Sequence, residues 1–128
     1  MTLPFCTANI FVTNKTDAVA QIALVHSVGG NSPVESKQWT NVQPGATTPD
    51  PLVVHFTIGS LDLDWWWCEI IVNGVTYWSP GTALNPDKEC LLEREDCGQT
   101  MYFTVDTQNF VMNITSGGCS TYMTDGGI

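Results

Sequence analysis

Asn73 and Gly74 stand between two β-rich runs, and in that setting an Asn-Gly pair is the preferred two-residue type I′ hairpin turn, because both residues accept positive φ. The turn fixes a register by counting outward. Val72 then faces Val75, Ile70 faces Tyr77 and Cys68 faces Ser79, while on the other side Ile71 faces Thr76, Glu69 faces Trp78 and Trp67 faces Pro80. One face carries Trp66, Cys68, Ile70, Val72, Val75 and Tyr77, a continuous apolar set expected to lie against a core. The opposite face carries Trp65, Trp67, Glu69, Ile71, Thr76 and Trp78, which puts three indoles around a carboxylate on the side that a two-layer sandwich normally shows to water.

Short alternating runs bounded by Gly, Pro, Asn and Asp recur along the whole chain, and no helical apolar period of useful length interrupts them. Ala8, Ile10 and Val12 share a face in one run, and Ala20, Ile22 and Leu24 share a face in the next. The turn residues NKTD lie between them, so the two runs are expected to form a first hairpin. Further strands are expected at Gln38 to Val42, in LVVHFTIG with Leu52, Val54 and Phe56 on one side and His55 on the other, and at Cys90 to Glu93. Two more are joined near Asp106 to Asn109, and the tail SGGCSTYMTDGGI is expected to end in a frayed, Gly-rich stretch. SVGGNSPVES and the stretch around QPGATTPDP read as loops. The expected fold is all-β, a single-domain antiparallel β-sandwich of about eight strands, occupying residues 1–128.

Against 13 acids the chain sets only Lys15, Lys37, Lys88 and Arg94, and its net charge of −9 would repel a phosphate backbone. Nucleic acid is therefore not an expected partner. The same charge disfavours adsorption to anionic lipid and leaves neutral or zwitterionic head groups, sugars and cations. No apolar run approaches a bilayer span, so no transmembrane segment is expected, and MTLPFCTANIFV lacks the basic and long apolar regions of a signal peptide. The expectation is a soluble mature protein, secreted without a classical signal peptide or cytoplasmic. NKT at Asn14 and NIT at Asn113 are formal glycosylation sequons.

Cys6, Cys68, Cys90, Cys97 and Cys119 make an odd total, which leaves at least one thiol unpaired within a monomer. No CxxC pair points to a zinc ribbon or a redox motif. Cys68 lies in an apolar strand and is expected to be a buried thiol. Cys90 and Cys119 flank the C-terminal strands and are the candidate disulfide.

Taken in order, ANIFVTNKT, QWTNVQPGATT, HFTIGSLDLDWWW and CLLEREDCGQTMYFTV cover most of the chain, and together they resemble the "up-regulated in daf" domain family of small β-rich domains. The strand layout is similar, more distantly, to the aegerolysins, acidic β-sandwich proteins that bind particular membrane lipids; that likeness is one of size, charge and organisation. The nearer resemblance implies a fold and no settled activity. In that family an acid before paired aromatics looks like a hallmark of the fold, which favours a structural role for Trp66.

An enzyme is not expected. His26 and His55 are separated by a long stretch with no GxSxG-type nucleophile near either, and the acid pairs Asp62 with Asp64 and Glu93 with Glu95 read equally well as solvated carboxylates. The acids that the spacing offers to calcium are Asp62, Asp64 and Asp87, with Glu89 or Asp96 nearby, but no EF-hand loop is present and no cofactor is expected. The candidate ligand-binding set is Trp65, Trp67 and Trp78 as a stacking platform, with Glu69 or Asp64 accepting hydrogen bonds from a sugar or a lipid head group. The same indoles could anchor at a bilayer edge, or be covered by another layer of the chain or by a second subunit in a homodimer, and so be core or interface. Glu69 argues against a covered face, since a buried carboxylate among indoles is costly without a cation. The expected function is non-enzymatic recognition of a cell-surface lipid head group or glycan, in a defence or toxin-like role; the alternative is an oligomeric protein whose Trp face is a subunit interface.

Overall fold

In a computed structural model that describes residues 5–29, 34–59 and 63–126, the alternating runs become strands whose apolar faces meet between two layers. In chain order they are β1 (Phe5–Asn14), β2 (Ala20–Val28), β3 (Glu35–Val42), β4 (Leu52–Thr57), β5 (Asp64–Val72), β6 (Val75–Trp78), β7 (Gly81–Thr82), β8 (Asn85–Pro86), β9 (Lys88–Glu89), β10 (Thr100–Val105), β11 (Asn109–Ile114) and β12 (Gly117–Tyr122). One five-stranded sheet runs β12-β11-β10-β1-β4; a second runs β3-β2-β5-β6, with β9 also paired to β5. The strands β7 and β8 form a small separate hairpin. The fold is all-β, as the alternation requires, and its core is built from alternate residues of both sheets: Ile10, Val54, Phe103 and Phe110 from the first, Ile22, Leu24, Trp66 and Ile70 from the second.

Several local expectations are corrected. The runs flanking NKTD do not pair with each other, because β1 pairs with β4 and β10 whereas β2 pairs with β3 and β5. The chain changes sheets there, and Asn14 is the reason. Its side chain is fully buried; its carbonyl accepts the Thr16 N–H at 2.9 Å and the Thr16 hydroxyl at 2.6 Å, while its amide donates to Ala18, Val42 and Gln43 carbonyls. That makes a corner, not a hairpin.

The sandwich is also not purely antiparallel, since β1 and β10 run parallel with Phe11 opposite Tyr102. A long excursion through the other sheet joins them, so no tight turn dictates their direction. No strand forms at Cys90 to Glu93: the two-residue β9 ends before it, and the chain then runs irregularly into a 3-10 turn at Arg94–Asp96. Most of the tail is held, since Gly117 to Tyr122 pair with β11 and Cys119 is bonded to Cys90; the end of the chain, where fraying is expected, lies outside the described residues from position 127. The centre of the loop expected around residues 27–36 lies outside the described residues.

The Asn-Gly turn forms as the sequence requires. Asn73 has φ 52° and Gly74 φ 77°, and Val72, Ile71, Ile70 and Glu69 face Val75, Thr76, Tyr77 and Trp78. Beyond that point the chain bulges away. The Ser79 N–H donates to the Cys68 carbonyl at 2.9 Å and its hydroxyl accepts the Cys68 N–H at 2.9 Å, but Trp66 and Trp65 pair with Lys88 and Glu89 in place of the chain after Pro80. Val75, expected on the core face, is 40 % exposed, because β6 lies at the edge of its sheet and Val75 at the sheet's end.

Candidate functional site

Strand alternation decides what each tryptophan of the DWWW stretch does. Trp66 points inward with no exposed surface. Its indole N–H donates to the Cys90 carbonyl at 2.9 Å, and its ring meets Phe103 edge-on at 5.0 Å and tilts against His26 at 4.6 Å. Every polar and apolar part of the side chain is thereby used. Trp65, Trp67, Glu69 and Ile71 point to the outer face, where their neighbours on β2 are Ser27, Val25, Ala23 and Gln21.

That outer face is not an open platform of three indoles. After β6 the chain turns back through the β7–β8 hairpin, and β8 packs beside β2 and β5. Val25, Ser27 and Trp67 are buried on the sheet's outer side, Trp67 to 7 % exposure, and Pro86 of the hairpin is buried with them. Trp67 is therefore a covered residue and not a stacking surface. Its Nε1–H has no hydrogen-bond partner although the atom is buried, an uncompensated group among the described residues.

The hairpin holds its place through a tight turn. Gly81 has φ +94°, and a Cβ there would lie 2.6 Å from the Asn85 carbonyl oxygen and 2.7 Å from the Asp87 nitrogen. Only glycine fits such a position.

Trp65 and Trp78 remain half-buried at opposite ends of the face. Trp78 faces Glu69, exchanges two backbone hydrogen bonds with Thr124 at 2.9 Å, and borders a shallow depression with Gly74, Val75, Thr76 and Asp125. Trp65 lines a cleft of about 300 Å³ together with Ser27, Gly29, Leu84, Asn85, Pro86 and Asp87. Its lining combines an indole face, an apolar Leu84 that is 85 % exposed, an amide, a hydroxyl and a carboxylate, with no cation among them. Asn85 and Leu84 lie outside the expected candidate set, because nothing in their sequence shows that a two-residue strand folds them back against Trp65.

Asp64 is not at this face. It shares parity with Trp66, not with Trp65, and is buried to 2 % exposure. One carboxylate oxygen meets His26 Nε2 at 2.7 Å and the other accepts the Leu92 N–H at 2.8 Å, so it serves neither the ligand nor calcium. Asp96 is likewise committed, to the Glu93 and Ser116 N–H groups and the Ser116 hydroxyl. Asp87 is exposed at the Trp65 cleft, and Asp62 lies outside the described residues. No cluster of three or more metal-ligating side chains occurs among the described residues.

His26, Glu35 and His55 form an arrangement not expected from the sequence. His26 is fully buried, with Nδ1 2.9 Å from Glu35 and Nε2 2.7 Å from Asp64. Glu35 also accepts the His55 backbone N–H at 2.9 Å and meets His55 Nδ1 at 2.6 Å. The carboxylate thus links the edge of β3 in one sheet to the edge of β4 in the other. Burial alone would lower the His26 pKa, but hydrogen bonds to Asp64 and Glu35, and their charges, outweigh it and hold the group above its ordinary 6.5. Burial would raise Glu35, and the hydrogen bonds from His26 and His55 hold it below its ordinary 4.5. The alternation that turned Ile22 and Leu24 inward contained this signal, since His26 has the same parity.

No protein-family model matches the chain, and no curated protein matches it. The resemblance described above rests on its quoted residues alone.

Proposed function

We propose that this chain is a non-enzymatic recognition protein that holds a neutral sugar, carried on a glycan or as the head group of a membrane lipid, in the cleft beside Trp65. The observation that carries the reading is the composition of that cleft: one indole face beside Ser27, Asn85 and Asp87, with no cation in the lining. A pyranose ring presents apolar C–H groups on its faces and hydroxyls at its rim, and it is matched by an aromatic plane ringed by acceptors and donors. An anionic phosphate or sulfate would meet Asp87 and a net charge of −9 with nothing to neutralise it.

Catalysis receives no support from this site. A nucleophile needs a base within reach, whereas both histidines hold Glu35 and His26 is buried on the other face of the sheet. Two disulfides, Cys6–Cys97 and Cys90–Cys119, favour an oxidising compartment and hence a secreted or cell-surface setting.

The test is an array of neutral glycans, with phosphatidylcholine vesicles bearing or lacking a neutral glycolipid as the membrane arm. Wild type should bind a neutral glycan or the glycolipid vesicles, and Trp65→Ala and Asp87→Asn should lose that binding while melting near wild type. Retention of binding by Trp65→Ala would refute the site. Leu84, exposed at the hairpin tip beside Trp65, favours a second reading in which another copy of the chain covers this face. That reading predicts a dimer in sedimentation equilibrium that Leu84→Asp dissociates.

A further inference from the structure

The outer face of the first sheet carries a constellation that the Trp65 cleft does not use. Four positions lie side by side across it. Phe11 is opposite Tyr102, Asn113 is opposite Gly118, and the β10–β11 register, with Thr104 opposite Val111, brings Tyr102 level with Asn113. The Asn113 amide donates to the Tyr102 carbonyl at 3.0 Å. The rings of Phe11 and Tyr102 are stacked at 5.4 Å with an interplanar angle of 18°, and Tyr102 remains 53 % exposed. On the other flank Gly118 contributes no side chain, and the space where its Cβ would stand is open.

Asn113 opens one of two N-x-T sequons, and the structure separates them. Asn14 is fully buried and its amide is spent on three carbonyls at 2.8, 3.0 and 3.3 Å; a sugar there would expel the corner that sends the chain from one sheet to the other. Asn113 and Thr115 are both exposed. The two disulfides favour folding in an oxidising compartment, the same setting in which sequon asparagines are modified.

We propose that Asn113 is an N-glycosylation site whose first sugar packs on the Phe11–Tyr102 pair. The donor is a polyprenyl-pyrophosphate-linked oligosaccharide presented by a membrane transferase. The Asn113 amide nitrogen bonds to the anomeric carbon, the bond from that carbon to the pyrophosphate oxygen breaks, the polyprenyl pyrophosphate leaves, and one amide proton passes to a base of the transferase. One N–H stays on the nitrogen as a donor for the Tyr102 carbonyl. The sugar's C–H face then covers an aromatic surface that the fold leaves in water. The proposal is independent of the Trp65 cleft.

The test begins with the full chain routed through a eukaryotic secretory pathway and mapped by peptide mass spectrometry before and after amidase release of glycans. A glycan at Asn113 and an unmodified Asn14 are expected. Unmodified Asn113 in the secreted folded protein, or a glycan at Asn14, would overturn the site. Seating on the aromatic pair is read from melting of the glycosylated protein and of Asn113→Gln, each with Tyr102 and with Tyr102→Ser. Asn113→Gln also removes the amide hydrogen bond to the Tyr102 backbone carbonyl in both backgrounds, so the readout is the difference: the drop in Tm should be about 2–5 °C larger when Tyr102 is present than when it is absent. Equal drops in both backgrounds would overturn the seating.

Discussion

Trp66 is the side chain on which both layers close, because it fills the centre with a ring against Phe103 and satisfies its own N–H through Cys90. Trp66→Ala should cost about 3–5 kcal/mol, a cavity too large to collapse, measured by chemical denaturation. Trp65→Ala, at the rim of its cleft, should cost far less. His26 adds a pH dependence. Its folded pKa is raised, so its contribution is full below its unfolded value of 6.5 and is lost as pH rises through the folded value. Glu35 is lowered, so its contribution is full above its unfolded 4.5 and is lost as pH falls through the folded value. Unfolding free energy should therefore fall on the alkaline side, and His26→Gln should remove that limb; a limb that persists in the variant would refute the assignment. Trp66 was legible because the turn supplied a register to count from. The Glu35–His26–Asp64 bridge was not, since a lone histidine in a strand shows its parity but not its partners.

At the scale of elements, the Asn73-Gly74 hairpin shows what local chemistry can specify. Two positive-φ residues fix which four pairs follow, and the sequence needs no knowledge of the rest of the fold to state them. The NKTD corner shows the limit. Turn residues between two amphipathic strands fit a hairpin within one sheet or a crossing between two, and the difference lies in carbonyls of Val42 and Gln43 that Asn14 reaches from far along the chain. The β7–β8 hairpin is a third case, too short to carry an alternation signal, yet it covers Trp67 and builds the cleft at Trp65. Gly81→Ala should therefore displace residues Leu84 to Asp87 and weaken ligand binding at least tenfold, with global stability falling by no more than about 1–2 kcal/mol. Binding and denaturation measured on the same sample separate the two effects. A variant that binds as wild type does would show that the hairpin is not part of the site. The thiol of Cys68, pushed up by burial, stays protonated and takes no part.

For the whole molecule, two disulfides brace a sandwich whose two sheets share one core. Cys6–Cys97 closes a separation of 91 residues and Cys90–Cys119 one of 29. By loop-closure entropy their removal should cost about 4–5 and about 3–4 kcal/mol respectively, so Cys6→Ser with Cys97→Ser should lower stability more than the other pair. The second bridge joins the chain after β9 to β12 and was legible from the position of its cysteines; the first was not, because Cys6 and Cys97 meet only once β1 has been inserted beside β10. Fold class was open to sequence because it depends on local period, whereas strand order depends on contacts between distant segments. The same division holds for the candidate site. The outward side of Trp65 was legible from its register, Asp64 and Trp67 are buried because of parity and the covering hairpin, and the placing of Asn85 beside Trp65 had no signal in the sequence. Sugar binding beside Trp65 is tested by following the indole N–H resonances of the labelled full chain by NMR while neutral oligosaccharides are titrated. The Trp65 resonance should shift with saturation while those of Trp66 and Trp39, both buried, stay fixed. If no indole moves across the neutral panel, or if Trp78 moves and Trp65 does not, the cleft beside Trp65 is not the recognition site.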